Sequence, residues 1–283
     1  MNQIVKKTLL ATVGVWDPLW VRWYRLRTGE QGAIPPFRNR DRIGARDIDW
    51  FIKSGRADYQ TFRNALLQWA ERPLPERAIL DLGAGCGRIL SHFLADGAAM
   101  AATDVDPTAI RYLQEAFPAV QSAVNQSTPP LPFPAARFDA VYAFSVWTHL
   151  PIALQDAWLV ECGRVLRPDG LLLISTMGYR ALKLLREGNN PLESDWHSIS
   201  DDDLRDHGAI YYEYPIFGQD DELFSGISAS YGVAVHDPDY IRRAWSGAFD
   251  VLEIVEGAFR KHQDLVVLRK KFTPSSPPVD TIP

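Results

Sequence analysis

The run Asp81-Leu82-Gly83-Ala84-Gly85-Cys86-Gly87 combines a carboxylate with glycines at every second position. Glycine lets a backbone turn sharply and lacks the Cβ that would hold a ligand away. Amide groups at the start of a following helix can meet a polar or anionic group. Asp104 stands roughly 20 residues further on, the spacing at which an acidic side chain holds ribose hydroxyls. A carboxylate offers an acceptor to each O–H donor of a ribose. Asp106 competes for that role, but Pro107 follows it, and an aspartate before a proline suits a helix cap. The chemistry indicated is the binding of a cofactor that carries an adenosine. The dinucleotide fingerprint G-x-G-x-x-G would need a glycine where this chain has Arg88.

The elements that must position these residues alternate. Residues 78–82 are an apolar run that suits a buried parallel strand. A helix of about ten residues follows the glycines, with Ile89, Leu90, Phe93 and Leu94 on one face and Asp96-Gly97 at its end. Strands are expected at 98–103, 122–125, 138–145 and 171–176, and helices from Pro107 and over 152–166. Such alternation implies a mostly parallel, doubly wound α/β sheet covered on both faces. Its ligands sit at the carboxyl ends of the strands. Asp81, Asp104, Asn125 and Ser145 all fall at such ends.

Two further stretches narrow the cofactor. Pro129-Pro130-Leu131-Pro132-Phe133-Pro134 precedes Phe138-Asp139-Ala140-Val141, and Arg164-Val165-Leu166-Arg167-Pro168-Asp169-Gly170 leads into Leu171-Leu172-Leu173-Ile174. In this order, after D-x-G-x-G-x-G, they resemble the class I S-adenosylmethionine (SAM) dependent methyltransferases. The resemblance covers residues 78–176 well and the rest poorly. It implies a Rossmann-like seven-stranded sheet with an antiparallel last strand, in which residues 249–255 and 265–268 pair. It implies SAM as cofactor, held by Asp81, Gly83, Ala84, Gly85, Gly87, Asp104, Val105, Asn125 and Ser145. Asp81 would sit near the methionine part. Where the family often has an acid near the adenine amino group, this chain has Asn125, whose carbonyl can accept the same hydrogen bond.

Methyl transfer to a hydroxyl benefits from a general base. His149 follows the fourth strand, and many members of the family carry a histidine there, often in a structural role. His197 and His236 are the other candidates. The segment Phe144 to Pro151 is not the Asn/Asp-Pro-Pro-aromatic sequence of methyltransferases that act on nucleic-acid bases. The expected reaction is methylation of a small-molecule acceptor, with oxygen favoured over nitrogen. A dehydrogenase using NAD and a non-catalytic partner subunit of the same fold are the alternatives.

The flanks are less patterned. The 283 residues divide into an N-terminal helical cap (1–75), a SAM-binding domain (76–271) with an insertion at 179–248, and a tail at 272–283 that reads as disordered. In the cap, Trp16, Trp20, Trp23 and Tyr24 alternate with Arg22, Arg25 and Arg27. That pattern fits a helix lying on a membrane surface, but packing of the aromatic face on the domain is favoured. The apolar run 8–16 is too short to span a membrane and shows no cleavage site. Arg38, Arg40, Arg42 and Arg46 form a cationic loop that reads as a solvated surface first, and otherwise as a site for an anionic, sugar- or lipid-linked acceptor. Residues 47–70 read as a helix burying Phe51, Phe62, Leu66, Leu67 and Trp69.

The insertion holds Asp201-Asp202-Asp203, which suits a helix start better than a metal site. Its aromatics, Trp196, Tyr211, Tyr212, Tyr214, Phe217, Phe224 and Tyr231, read as a small core or as walls of a pocket. No metal is expected. The net charge of −5 argues against a general nucleic-acid binder, and the two distant cysteines fit a reducing cytoplasm.

Overall fold

In the computed structural model, the apolar run before the glycines is the central strand of a sheet. The structure describes residues 3–70, 72–188, 191–214 and 231–271; the tail at 272–283, Phe217 and Phe224 lie outside them. The strands are β1 (Ala78–Leu82), β2 (Ala99–Asp104), β3 (Gln121–Val124), β4 (Phe138–Ala143), β5 (Leu166–Thr176), β6 (Ala209–Glu213), β7 (Gly232–His236), β8 (Phe249–Phe259) and β9 (Gln263–Lys270). The helices are α1 (Gln3–Thr28), α2 (Phe37–Arg42), α3 (Ile48–Trp69), α4 (Leu90–Ala95), α5 (Pro107–Ala116), α6 (Ile152–Val165), α7 (Tyr179–Glu187), α8 (Asp201–His207) and α9 (Pro238–Ala244).

The seven-stranded sheet has the order β3-β2-β1-β4-β5-β9-β8. The first five strands pair in parallel, and β9 runs antiparallel to both β5 and β8. The chain therefore switches direction of winding between β1 and β4, which opens a crevice at their carboxyl ends. Alternation along the strands supplies two cores. Ile79, Tyr142, Leu171 and Leu173 face α3 and α4, where Phe62, Leu66, Leu90 and Phe93 are fully buried. Leu80, Val141, Leu172 and Val266 face the other way, onto Trp158 and Leu159 of α6. The insertion adds β6 and β7 as an antiparallel pair with a core of Leu182, Trp196, Leu204, Val233 and Val235.

Several expectations shift. Leu67 is exposed, because one step beyond Leu66 turns the side chain about 100° off the buried face, and Trp69, three steps on and about 60° from the Leu66 direction, is half-buried. β5 begins at Leu166, and Pro168-Asp169-Gly170 bulges within it instead of preceding it. Residue Asp203 closes a capping box with Ser200, so the acidic run begins α8 as its type predicts. The largest difference is in α1. Trp16, Trp20 and Trp23 are 49 to 58 % exposed and do not pack on the domain. The face that docks is the opposite one, through Asp17 and Tyr24.

Candidate active site

At the end of β1 the chain turns under the amides of Gly83 and Ala84, which both donate to the Thr103 carbonyl, at 2.8 and 2.9 Å. Gly83 takes a φ of +79°, and a Cβ there would stand 2.5 Å from the Val146 side chain. A Gly83→Ala chain is expected to lose about 1–3 kcal/mol of stability, read by urea unfolding, since alanine resists this φ and this contact. The Gly85 amide donates to Asp104 Oδ2 at 2.7 Å, and the Asp106 amide donates to Asp104 Oδ1 at 2.8 Å. Asp104 thus joins the glycine loop to the end of β2. Its burial raises its pKa, and the two amide bonds act against that rise. Asp106 caps α5 through Thr108, as its position before Pro107 predicts.

Asp81 is 3 % exposed, and Tyr142 donates to its Oδ2 at 2.6 Å. Burial pushes its pKa up to about 7, the nearby charge of Asp104 adds to the rise, and the Tyr142 bond opposes it. The site thus holds a carboxylate that is costly to ionise until a cation arrives.

Asp81, Asp104 and Asp106 border one cavity of about 480 Å³, together with Gly83, Ala84, Gly85, Val105, Asn125, Ser145 and His149. Gly87 does not border it. Its φ is +75°, and a Cβ there would press on Leu113 and Phe117 at 2.9 and 3.0 Å, so the glycine allows the loop to pack closely on α5. Asn125 Nδ2 donates to the Gln126 carbonyl at 2.7 Å, while its Oδ1 is buried without a hydrogen-bond partner among the described residues. Ser145 holds a φ of +55°, uncommon for a residue with a side chain. Its amide donates to Ser175 Oγ at 2.7 Å, and Gln263 Nε2 donates to its Oγ at 2.8 Å.

Of the three candidate histidines only His149 borders the cavity. Its Nδ1 lies 2.8 Å from the Gly232 carbonyl, which can only accept, so Nδ1 carries the proton and Nε2 keeps a free lone pair. Burial lowers its pKa, and its ring stacks on Tyr231 at 4.6 Å. His236 is built into the core instead. Gln155 Nε2 donates to the carbonyls of Trp147 and Leu150, at 3.1 and 3.0 Å, which leaves its Oε1 to accept from His236 Nε2 at 2.8 Å. Burial pushes the His236 pKa down to about 4. His197 is exposed and donates to the Gly188 carbonyl at 3.0 Å. Neither borders the cavity.

The cationic loop is largely spent within the chain. Arg40 is 1 % exposed, pairs with Asp17 and donates to the carbonyls of Pro35 and Arg46. Arg46 pairs with Asp41. Arg40 is therefore a fastening residue, neither part of a solvated surface nor free to meet an acceptor, which corrects both readings of the loop at this position. Arg42 borders the cavity and pairs with Asp106 at 2.8 Å. With it come Asn39 and Ile43, which no local pattern marks; a Cβ on Gly85 would meet Ile43 at 3.0 Å. Tyr231, from the far end of the insertion, closes the side near His149.

A family model described as a methyltransferase domain matches residues 80–174. These residues belong to the class I SAM-dependent methyltransferases. The methyltransferase domain is 34% identical over 100 residues to a "Probable S-adenosylmethionine-dependent methyltransferase" of Mycobacterium tuberculosis, a match over 35% of each chain. It is 33% identical over 121 residues to a "Ubiquinone biosynthesis O-methyltransferase" of Methylocella silvestris, over 41% of this chain and 45% of that one. The chain thus matches less than half the length of these relatives. Among solved structures, a protein of Pyrococcus horikoshii OT3 superposes with a TM-score of 0.53 at 18% identity, covering 76% of this chain and 91% of that chain. The 1,6-didemethyltoxoflavin-N1-methyltransferase of Burkholderia thailandensis, with 1,6-didemethyltoxoflavin and S-adenosylhomocysteine bound, superposes with a TM-score of 0.50 at 17% identity, over 85% and 94% of the two chains. At these identities the likeness is one of fold.

Proposed function

We propose that the chain moves a methyl group from SAM to the oxygen of a small-molecule acceptor. The observation that carries this reading is a single cavity bordered by the glycine loop, Asp104 and Asn125 as well as by His149. The residues present fit the cofactor. Gly83 and Gly85 border the cavity with backbone that carries no Cβ, and Asn125 Oδ1 is a buried acceptor without a partner among the described residues. Bound there, SAM supplies a methyl group on a positively charged sulfur.

The chain's own groups then have distinct tasks. Asp104 holds the ribose hydroxyls, because each of its oxygens keeps lone-pair capacity beyond its amide bond. Asn125 Oδ1 accepts from the adenine amino group, and Asp81 faces the ammonium of the methionine part. His149 Nε2 would take the proton of an acceptor hydroxyl, and the Gly232 carbonyl holds the imidazole in the tautomer that leaves that nitrogen basic. The N-terminal cap, through Arg42 and Ile43, and the 179–248 insertion, through Tyr231, wall the acceptor end. A cavity of this volume suits a small acceptor beside the cofactor.

Thermal unfolding with SAM, S-adenosylhomocysteine and NAD tests the cofactor assignment. A ligand that binds only the folded chain raises the midpoint. SAM and S-adenosylhomocysteine are expected to raise it and NAD to leave it unchanged. A rise with NAD alone would overturn the reading. The intact chain with labelled SAM and a panel of hydroxylated acceptors then tests the transfer; label on nitrogen only would remove the oxygen assignment.

A further inference from the structure

One face of α1 remains without a partner among the described residues. Val15, Trp16, Leu19, Trp20, Trp23 and Leu26 are 49 to 79 % exposed. Their spacing at three and four residues places them along one side of the helix. The other side is fastened. Asp17 pairs with Arg40 of α2 and accepts from the Phe37 amide at 2.8 Å, and Tyr24 donates to Asp49 of α3 at 3.2 Å. The helix is therefore fixed in rotation, and its aromatic stripe is presented, not left over. Single exposed apolar residues need no explanation, but a contiguous stripe with three tryptophans marks an interaction surface.

The charges around the stripe select the partner. Arg22 and Arg27 lie beside it, the Arg27 guanidinium 5.2 Å from the Trp23 ring centre, while Arg25 donates to the Gly32 carbonyl at 3.0 Å. The only acid of α1 is Asp17, which is buried under Arg40. The exposed charge of this helix is thus positive on a chain whose net charge is −5. A second copy of the chain is a poor match. Pairing the stripes of two such helices would bring the exposed arginines of two chains onto one interface with no acid of α1 between them. No described helix is long and apolar enough to cross a membrane. Tryptophan settles at the headgroup level of bilayers, and arginine pairs with lipid phosphates.

We propose that α1 lies flat on an anionic lipid surface, with Trp16, Trp20 and Trp23 in the interfacial layer and Arg22 and Arg27 on the headgroups. The consequence reaches the cavity. α2 carries both Arg40, which grips Asp17, and Arg42, which borders the cavity, so the docked helix also holds the cavity's cap. The surface is argued apart from the methyl-transfer reading, and its test needs no activity.

The test is co-sedimentation of the full chain with vesicles of equal parts phosphatidylcholine and phosphatidylglycerol, and with vesicles of phosphatidylcholine alone. The chain is expected to bind the first, bind the second far more weakly, and be released in part by salt. Replacing Trp16, Trp20 and Trp23 with serine is expected to weaken binding at least about tenfold. An R22Q/R27Q chain should lose about thirtyfold on the anionic vesicles at low salt, from the electrostatic contribution of each cation near such a surface. Both variants change exposed residues, and an unaltered unfolding midpoint shows that they remain folded. Failure of the unaltered chain to bind anionic vesicles would overturn the proposal. So would undiminished binding by the serine variant. A solution dimer that the serine variant dissociates, without vesicle binding, would assign the face to a second copy instead.

Discussion

An Asp81→Asn chain is expected to unfold less readily than the unaltered protein at pH 8 and yet to bind SAM about ten- to a hundredfold more weakly, the range of a lost charge-assisted contact. Both halves follow from one carboxylate. The folded-state pKa of Asp81 is raised from 3.8 to about 7, chiefly by burial. Below the unfolded pKa both states hold the proton and the residue costs nothing. Between the two values the folded chain keeps a proton that the unfolded chain has released, so stability falls as pH rises. Above about 7 the full cost is present, on the order of 4 kcal/mol for a shift of this size. Asparagine removes that cost and still offers an oxygen to the Tyr142 hydroxyl. Asp264, which burial pushes up to about 6, adds its own slope in both chains and cancels in the difference.

The loss of affinity has the opposite origin. An ammonium brought beside Asp81 favours the ionised form, so binding SAM near neutral pH releases a proton. Affinity for SAM should rise with pH up to about 7 in the unaltered chain and be flat in Asp81→Asn. Calorimetry in two buffers of different ionisation enthalpy reads the proton directly. Equal apparent enthalpies at pH 6.5 would show that Asp81 does not meet the cofactor's charge.

What the sequence made legible here was local. The glycine loop, Asp104 and the cap at Asp106 each follow from residues within a few positions of one another, and the alternation of strands and helices fixes their place in the sheet. What it hid was long-range. Arg40 reads as a free cation until Asp17 is brought against it by the docking of α1 on α2. Ile43 and Tyr231 reach the cavity because the cap and the insertion fold back over it, and neither lies in a motif. His149 and His236 look alike in the sequence, each polar and each beside a strand. Their difference is made by Gln155, whose amide is committed to two carbonyls and leaves only an acceptor for His236. The aromatic stripe of α1 has the periodicity of a buried face, and periodicity records which side is apolar without recording what covers it.

With an acceptor that the intact chain methylates, replacing His149 by alanine is expected to lower kcat about 10²- to 10⁴-fold, the usual contribution of a general base. The affinity for SAM should change little, because the imidazole is held by the Gly232 carbonyl and Tyr231 and makes no bond to Asp104 or the glycine loop. The pH profile separates this role from that of Asp81. His149 is useful only when neutral, and burial lowers its pKa from 6.5. At saturating SAM the rate should therefore be level at neutral pH and fall on the acid side, below 6.5, in a limb that disappears with the histidine. The limb due to Asp81 lies near 7 and appears only at low SAM, in kcat/KM, since it governs binding and not transfer. A purely structural His149, held by Gly232 and stacked on Tyr231, would leave a different mark: His149→Gln would recover the rate by keeping a donor for the Gly232 carbonyl. Glutamine lacks a basic nitrogen, so a base at this position predicts that His149→Gln restores the unfolding midpoint and leaves the rate at the alanine level.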